Sequence, residues 1–440
     1  MARVLLTLWP FPTHLHPFMA LAHALGRRGH EVTFYTGGQA ELVVAGEGFR
    51  CSPFRDVAWS QVQQTVDDLI AGRRDPSQTG RLWRRFLMDT VPLQLKDLDT
   101  LLNEWPPDVL ICDLALWAPM LVLRETRRIP VVAFSHVANC LLPGPDGPVP
   151  GFPLPRKHNW LLSWWAWLGS KAVGAATAQV RRRADEIRGE HGLPPLGMTL
   201  VECAGTMPLY LVPSTPELDR LREDLPASVH YVGPCLWDKN PAQAPPAWLE
   251  ELRGRRLILV DEGALYEREP RVLKLAAAAL AGLPQSVVLL AGFGRDPAAL
   301  DLGRMANNVM LHAHAPLSDL LPFVEVLVTN GNSDSVLASL SVGVPVVVLP
   351  SIWDQAELAW RVHETGAGLR LPPRRTTPQR MRQAVELVLK EPSFRENARR
   401  MGAALARRGG PERAAELIEE LIGIRQPGTS WKQPVTASRT

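Results

Sequence analysis

Short, largely apolar runs separated by segments of helical spacing dominate this chain. In the first half RVLLTLW, HEVTFYT, PDVLICDL and IPVVAFSH alternate with HPFMALAHALGRRG, QAELVVAGEG and WAPMLVLRETRR. A strand that is apolar on nearly every residue has no face for water, so it belongs in a sheet covered on both sides. The intervening segments carry apolar residues at helical spacing and supply that cover. The pattern therefore predicts parallel α/β sheets and excludes sandwiches and helical bundles.

The alternation breaks and restarts. Between them lies Pro241-Ala242-Gln243-Ala244-Pro245-Pro246, a proline-rich stretch that reads as an interdomain linker. Beyond it come RRLILVD, QSVVLLAGF, EVLVTN and VPVVVLP, again with helical segments between. A chain of 440 residues exceeds one ordinary core. The division is a first domain over 1–235, a linker over 236–251, a second domain over 252–425 and a loose tail over 426–440. Two parallel-sheet domains of this kind leave a cleft between the carboxyl ends of their strands, where ligands bind.

Charge narrows the partners. With 48 basic and 45 acidic residues the net charge is +3, which lacks the basic excess of a nucleic-acid binder. Five scattered cysteines, Cys51, Cys112, Cys140, Cys203 and Cys235, form no C-x-x-C pair and suit a reducing, cytoplasmic setting. MARVLLTLWPFP reads as a first strand rather than a signal peptide. The apolar run from Trp160 to Leu168 is too short to span a bilayer. It suits a membrane surface, an apolar ligand pocket or a core helix, and the last reading is at least as good as the others.

Chemistry is sought in the loops after strands. Behind the first strand comes Pro10-Phe11-Pro12-Thr13-His14-Leu15-His16-Pro17, with two histidines competing for the role of general base. Asp113 ends another strand of the same sheet and can orient such a histidine, whereas Asp108 sits at the wrong end. In the second half, Asn330-Gly331-Asn332-Ser333-Asp334-Ser335 joins a strand to a helix. Helix N-termini at such points bind anions, yet this turn carries its own carboxylate.

Over nearly its whole length the chain resembles the family 1 glycosyltransferases of the GT-B fold, built from two Rossmann-like domains facing a central cleft. Thr13-His14-Leu15-His16-Pro17 is similar to the family's Gly-His-x-x-Pro motif except for the glycine, and RRGHEVTF and the VGP before the linker match as well. The resemblance implies inverting sugar transfer from a UDP- or dTDP-linked sugar to a hydroxyl of a lipophilic small molecule, without a metal or further cofactor. It makes His14 the base and Asp113 its orienting partner. It places the acceptor among Phe11, Trp117, Trp160, Trp164 and Trp167. The donor would lie against Gly263, Arg295, His314, Ala315, Asn330, Gly331, Asn332, Ser335, Asp354 and Gln355. Among these, Asp354 and Gln355 would hold the sugar hydroxyls, and Arg295 would act as counter-charge.

The donor motif departs from the family at Asn332, Asp334 and Ala338, and the loop Val260-Asp261-Glu262-Gly263-Ala264 carries two carboxylates. Like charges about 4 Å apart repel by roughly 4 kcal/mol at an effective dielectric near 20. Asp334 therefore either faces away from a diphosphate or stands in for it at the helix N-terminus. Two functions follow: an inverting transferase with a divergent donor loop, or a homologue that has lost sugar transfer and binds a small molecule or partner, or catalyses a different reaction in the cleft. A nucleotide-sugar epimerase is a weaker third.

Overall fold

The computed structural model describes residues 1–71, 76–137, 141–144, 160–219, 222–238, 244–252, 254–263, 269–292, 295–352 and 354–423. Its first domain holds a seven-stranded parallel sheet. The strands are β1 (Arg3–Thr7), β2 (Glu31–Thr36), β3 (Arg50–Pro53), β4 (Val109–Asp113), β5 (Val131–Phe134), β6 (Leu209–Val212) and β7 (Val229–Tyr231). Their order is β3-β2-β1-β4-β5-β6-β7. The second domain holds β8 (Leu257–Asp261), β9 (Ser286–Leu290), β10 (Val309–His312), β11 (Val324–Thr329), β12 (Val346–Val348) and β13 (Gly368–Arg370), in the order β10-β9-β8-β11-β12-β13. β1, β4, β5, β8 and β11 are buried almost throughout, as strands covered on both faces must be.

Each sheet reverses its strand order once among these pairs: β1 lies between β2 and β4, and β8 lies between β9 and β11. At such a switch point the loops leaving adjacent strands part in opposite directions and open a crevice at the carboxyl edge. The helix that carries His14 follows the loop leaving β1, and Asp113 ends β4. Likewise Asp261 ends β8, and the turn 330–335 leaves β11. Both candidate constellations thus occupy the places the topology opens.

Three features differ from the sequence expectation. Helices Trp59–Ala71, Pro76–Leu87 and Val91–Glu104 fill the stretch between β3 and β4, where the apolar pattern assigns no element. Their apolar sides, through Val62, Val66, Leu69, Phe86 and Leu95, join the core around Trp9. The tryptophan-rich run belongs to a longer helix, Trp160–Glu190, and no helix of the described residues is long and apolar enough to cross a membrane.

The third is a correction to the domain division. The helix Gly410–Leu421, assigned to the second domain, packs Ala414, Ala415, Leu417 and Ile418 into the first domain's core beside Phe18, Leu21 and Leu25. The crossing is tight. The Gly410 N–H donates to the Val232 carbonyl at 2.6 Å, and a Cβ on Gly233, whose φ is +86°, would meet the Leu405 carbonyl at 2.8 Å. Glu419 of this helix pairs with Arg28 and His30 of the first domain. Residues 239–243 of the expected linker, the tail 426–440 and Cys140 lie outside the described residues.

Candidate active site

His14 lies in the first turn of the helix Pro12–Arg27, whose opening proline is preset for a helix start. It is buried, and its Nδ1 lies 2.5 Å from Asp113 Oδ2. The carboxylate also accepts the Trp9 N–H at 3.3 Å and the Ala115 N–H at 2.9 Å, so the strand ends themselves hold it in place. With Nδ1 committed to Asp113, Nε2 is the nitrogen left to take a proton. Burial pushes the His14 imidazole below its ordinary value, against the pull of Asp113. Asp113 itself is held far below the usual carboxylate range, because the two imidazoles beside it outweigh the cost of its burial.

The other contestant from the same loop points elsewhere. His16 is half-buried, and its Nδ1 lies 3.3 Å from Asp334 Oδ2 of the second domain. The first domain's loop and the second domain's turn thus meet across the cleft. Asp334 is not the N-cap of its own helix, and its carboxylate meets His16 at the edge of the cavity.

The anion-binding positions of the turn are filled by other groups. Asn332 is the N-cap of the helix Ser333–Ser341, and its Oδ1 accepts the N–H groups of Asp334 at 2.9 Å and Ser335 at 3.4 Å. Ser335 donates its hydroxyl to Asp261 Oδ2 at 2.5 Å, and Asp261 Oδ1 accepts the Gly263 N–H at 3.0 Å. Asn330 donates to the Glu262 carbonyl at 2.7 Å, and Gly331 takes a φ of +92°. Burial raises the Asp261 carboxyl above its ordinary value.

Arg295 is a correction to the sequence expectation. Its guanidinium is paired with Glu262, both side chains being buried. Glu262 in turn accepts the Val272 N–H at 2.8 Å, at the start of the helix Arg271–Ala279. Arg295 neutralises this internal cap, and burial still raises the Glu262 carboxyl above its usual range. The counter-charge is consumed within the domain.

A cavity of about 240 Å³ lies between these elements, and its lining includes His16, Asp238, Asp261, His314, Asn332 and Asp334. Among its described lining residues there is no Lys or Arg. Both His314 and the buried Ala315 line the cavity. Asp354 accepts the Ser333 hydroxyl at 3.4 Å, and burial raises its carboxyl. Gln355 directs its Oε1 at the N–H groups of Ser351 and Ile352, both at 2.9 Å, so only its amide nitrogen is left for a ligand.

The aromatic residues divide. Phe11 sits against the base, ring centroids 5.3 Å from His14 and 5.0 Å from Trp59. Trp59, which the sequence reading did not single out, belongs to a cluster with Trp9, Phe54 and Phe86. Trp117 is buried in the core and only 3% exposed, so its ring forms structure rather than an open wall. Trp160 and Trp164 are 74% and 49% exposed on the long helix. The side chain of Trp167 lies outside the described residues.

One residue of the site escaped the sequence reading altogether. His136 follows β5 and places its Nδ1 2.9 Å from Asp113 Oδ1, its ring stacked on His14 with centroids 3.7 Å apart and planes 15° apart. Its signal was present, a histidine at a strand's carboxyl edge in AFSH, the same position type as His14. Ligand atoms of His14, Asp113 and His136 lie within 4.8 Å of one another, close enough to suggest a metal set. The two contacts differ: His14 Nδ1 makes a hydrogen bond to Asp113 at 2.5 Å, whereas His136 Nδ1 approaches the same carboxylate at 2.9 Å without hydrogen-bond geometry.

Comparison with known proteins agrees with this architecture. Residues 294–421 match the family model for the erythromycin biosynthesis protein CIII-like C-terminal domain, and residues 18–203 match that for glycosyltransferase family 4. The chain is 33% identical to 4'-demethylrebeccamycin synthase of Lentzea aerocolonigenes, over 96% of this chain and 100% of that protein. It is 25% identical to demethyllactenocin mycarosyltransferase of Streptomyces fradiae, covering 96% and 87% of the two. Among solved structures, the glycotransferase of kitacinnamycin superposes with a TM-score of 0.74 at 23% identity, over 95% of this chain and 98% of that one. A spinosyn rhamnosyltransferase complexed with thymidine diphosphate gives 0.70 at 22% identity, over 96% and 100%. A relative one-third identical along the full length, on a fold shared with sugar-transferring enzymes, leaves one assignment: this chain belongs to the bacterial family 1 natural-product glycosyltransferases of the GT-B fold, enzymes that transfer sugars to small molecules.

Proposed function

We propose that the enzyme transfers a sugar, with inversion, from a UDP- or dTDP-linked donor to a hydroxyl of a lipophilic natural product. The observation that carries this reading is the buried His14–Asp113 pair at the switch point of the first sheet. His14 Nε2 takes the hydroxyl proton as the acceptor oxygen bonds to the anomeric carbon. The bond from that carbon to the phosphate oxygen breaks, and its electrons leave with the nucleoside diphosphate. Asp113 keeps Nδ1 as the donor nitrogen and stabilises the imidazolium that forms. Phe11 and the half-buried Trp59 offer an apolar wall beside the base. His16 and His314 are the basic side chains that the described cavity wall offers the leaving diphosphate.

A neighbour in fold was solved with thymidine diphosphate, which supports a dTDP-linked donor for this chain as well. The test combines stereochemistry with substitution. The product's anomeric configuration, read by NMR, is expected to be opposite to the donor's. His14→Ala is expected to lose about 10²- to 10⁴-fold in kcat/KM. Retention of configuration, or undiminished turnover by His14→Ala, would remove the mechanism.

A further inference from the structure

Asp113 serves two imidazoles, and only His14 has a part in the transfer step. The turn that carries His136 is fixed. The Ser135 hydroxyl donates to the Val137 carbonyl at 2.6 Å, and the Ser135 N–H donates to the Leu211 carbonyl of β6 at 3.0 Å. The backbone beside His136 is therefore held, and its ring stacks on His14 with Nδ1 2.9 Å from Asp113 Oδ1.

One carboxylate balances one imidazolium. A second would be a like charge stacked on the first, with ring centroids 3.7 Å apart, and close like charges repel. The resting pair therefore favours a single imidazolium, a second forming only transiently as His14 takes the acceptor's proton, so the question is which ring holds the resting proton. His14 faces Asp113 from β4, His136 from the loop after β5, and Asp334 across the cleft. His136 faces the same Asp113 and Asp334 and, in addition, Asp354 of the second domain. His14 is also the more enclosed, with 5% of its side chain exposed against 13% for His136. Desolvation penalises the charged form where water is scarcer.

We propose that His136 is a positioning residue for the base: it holds the proton that balances Asp113 and, stacked on His14, keeps the His14 ring in place and neutral. The opposite directions of the two groups agree, His14 lying below the ordinary imidazole value because of burial, and His136 above it because its carboxylate neighbours outweigh burial. The proposal rests on His14 being the base.

The test is an NMR titration of the imidazole nitrogens in the full-length protein, with the resonances assigned through His14→Gln and His136→Gln. His136 is expected to keep its proton to higher pH than His14. In His136→Gln the His14 midpoint is expected to rise by about one pH unit or more, because a like charge is gone and Asp113 is left to His14 alone. The acidic limb of kcat/KM then moves up by the same amount. Turnover near about pH 6 falls about tenfold relative to the alkaline plateau. His136→Phe keeps an aromatic stack without the charge and is expected to give the same shift, with a thermal melt confirming that both variants fold. An unmoved His14 midpoint in both variants, or His14 protonating first, overturns the proposal. Because the titration locates protons without turnover, its outcome is separate from that of the His14→Ala test.

Discussion

Glu262 and Arg295 sit in loops that follow β8 and β9, where charges could meet a diphosphate, yet each is consumed by the other. A sequence lists charges without saying which are already paired. In this case burial decides, since a carboxylate that caps a helix inside the domain needs a partner there. Removing the guanidinium leaves an uncompensated buried charge. Arg295→Met is therefore expected to destabilise the second domain by about 3–5 kcal/mol, more than Glu262→Gln, as read from urea unfolding. The histidines make the same point differently. His14 and His16 lie two positions apart on one helix, but one turns to Asp113 and the other to Asp334. His136 joins His14 from the loop after β5, far along the chain, and no local pattern brings it to β4.

At the scale of elements, the turn 330–335 explains how an anion-binding position can be present and filled. The strand-to-helix junction lies where the pattern of EVLVTN followed by SDSVLASLSVG places it, but Asn332 supplies the oxygen that a phosphate would otherwise supply. Asn332→Ala is expected to cost about 1 kcal/mol of stability, and Asn332→Ser, which can still cap, only a few tenths. Thermal melts of the two variants check the difference. The stretch between β3 and β4 was the least legible in the sequence. Its helices carry polar and basic residues on most positions, and Val62, Val66 and Leu69 become a buried side only because Trp9 and its aromatic neighbours stand opposite. The long apolar runs of β4, β8 and β11 needed no such partner to be recognised.

Across the whole molecule, two features tie the domains together. The contact between His16 and Asp334 closes the cleft from both sides. Asp334→Asn removes both the carboxylate's contact to His16 and a negative charge facing the cavity. It is expected to tighten dTDP binding severalfold to about a thousandfold by calorimetry, the upper figure being the roughly 4 kcal/mol of close like-charge repulsion. Weaker binding would show that the cross-cleft contact assists the ligand instead. The second tie is the helix Gly410–Leu421. Removing it is expected to raise hydrogen exchange in the helix Pro12–Arg27 of the first domain, because Ala414, Leu417 and Ile418 cover Phe18 and Leu25 there. The sequence by itself determined the two parallel sheets, their carboxyl-edge loops and the candidacy of His14 and Asp113, since apolar periodicity and residue chemistry are local properties. Tertiary structure alone decided that Arg295 is spent on Glu262, that Asp334 answers His16, that His136 shares Asp113, and that the last helix returns to the first domain. Those outcomes depend on which distant groups lie within a few ångströms, and charge pairing and desolvation act over that range rather than along the chain.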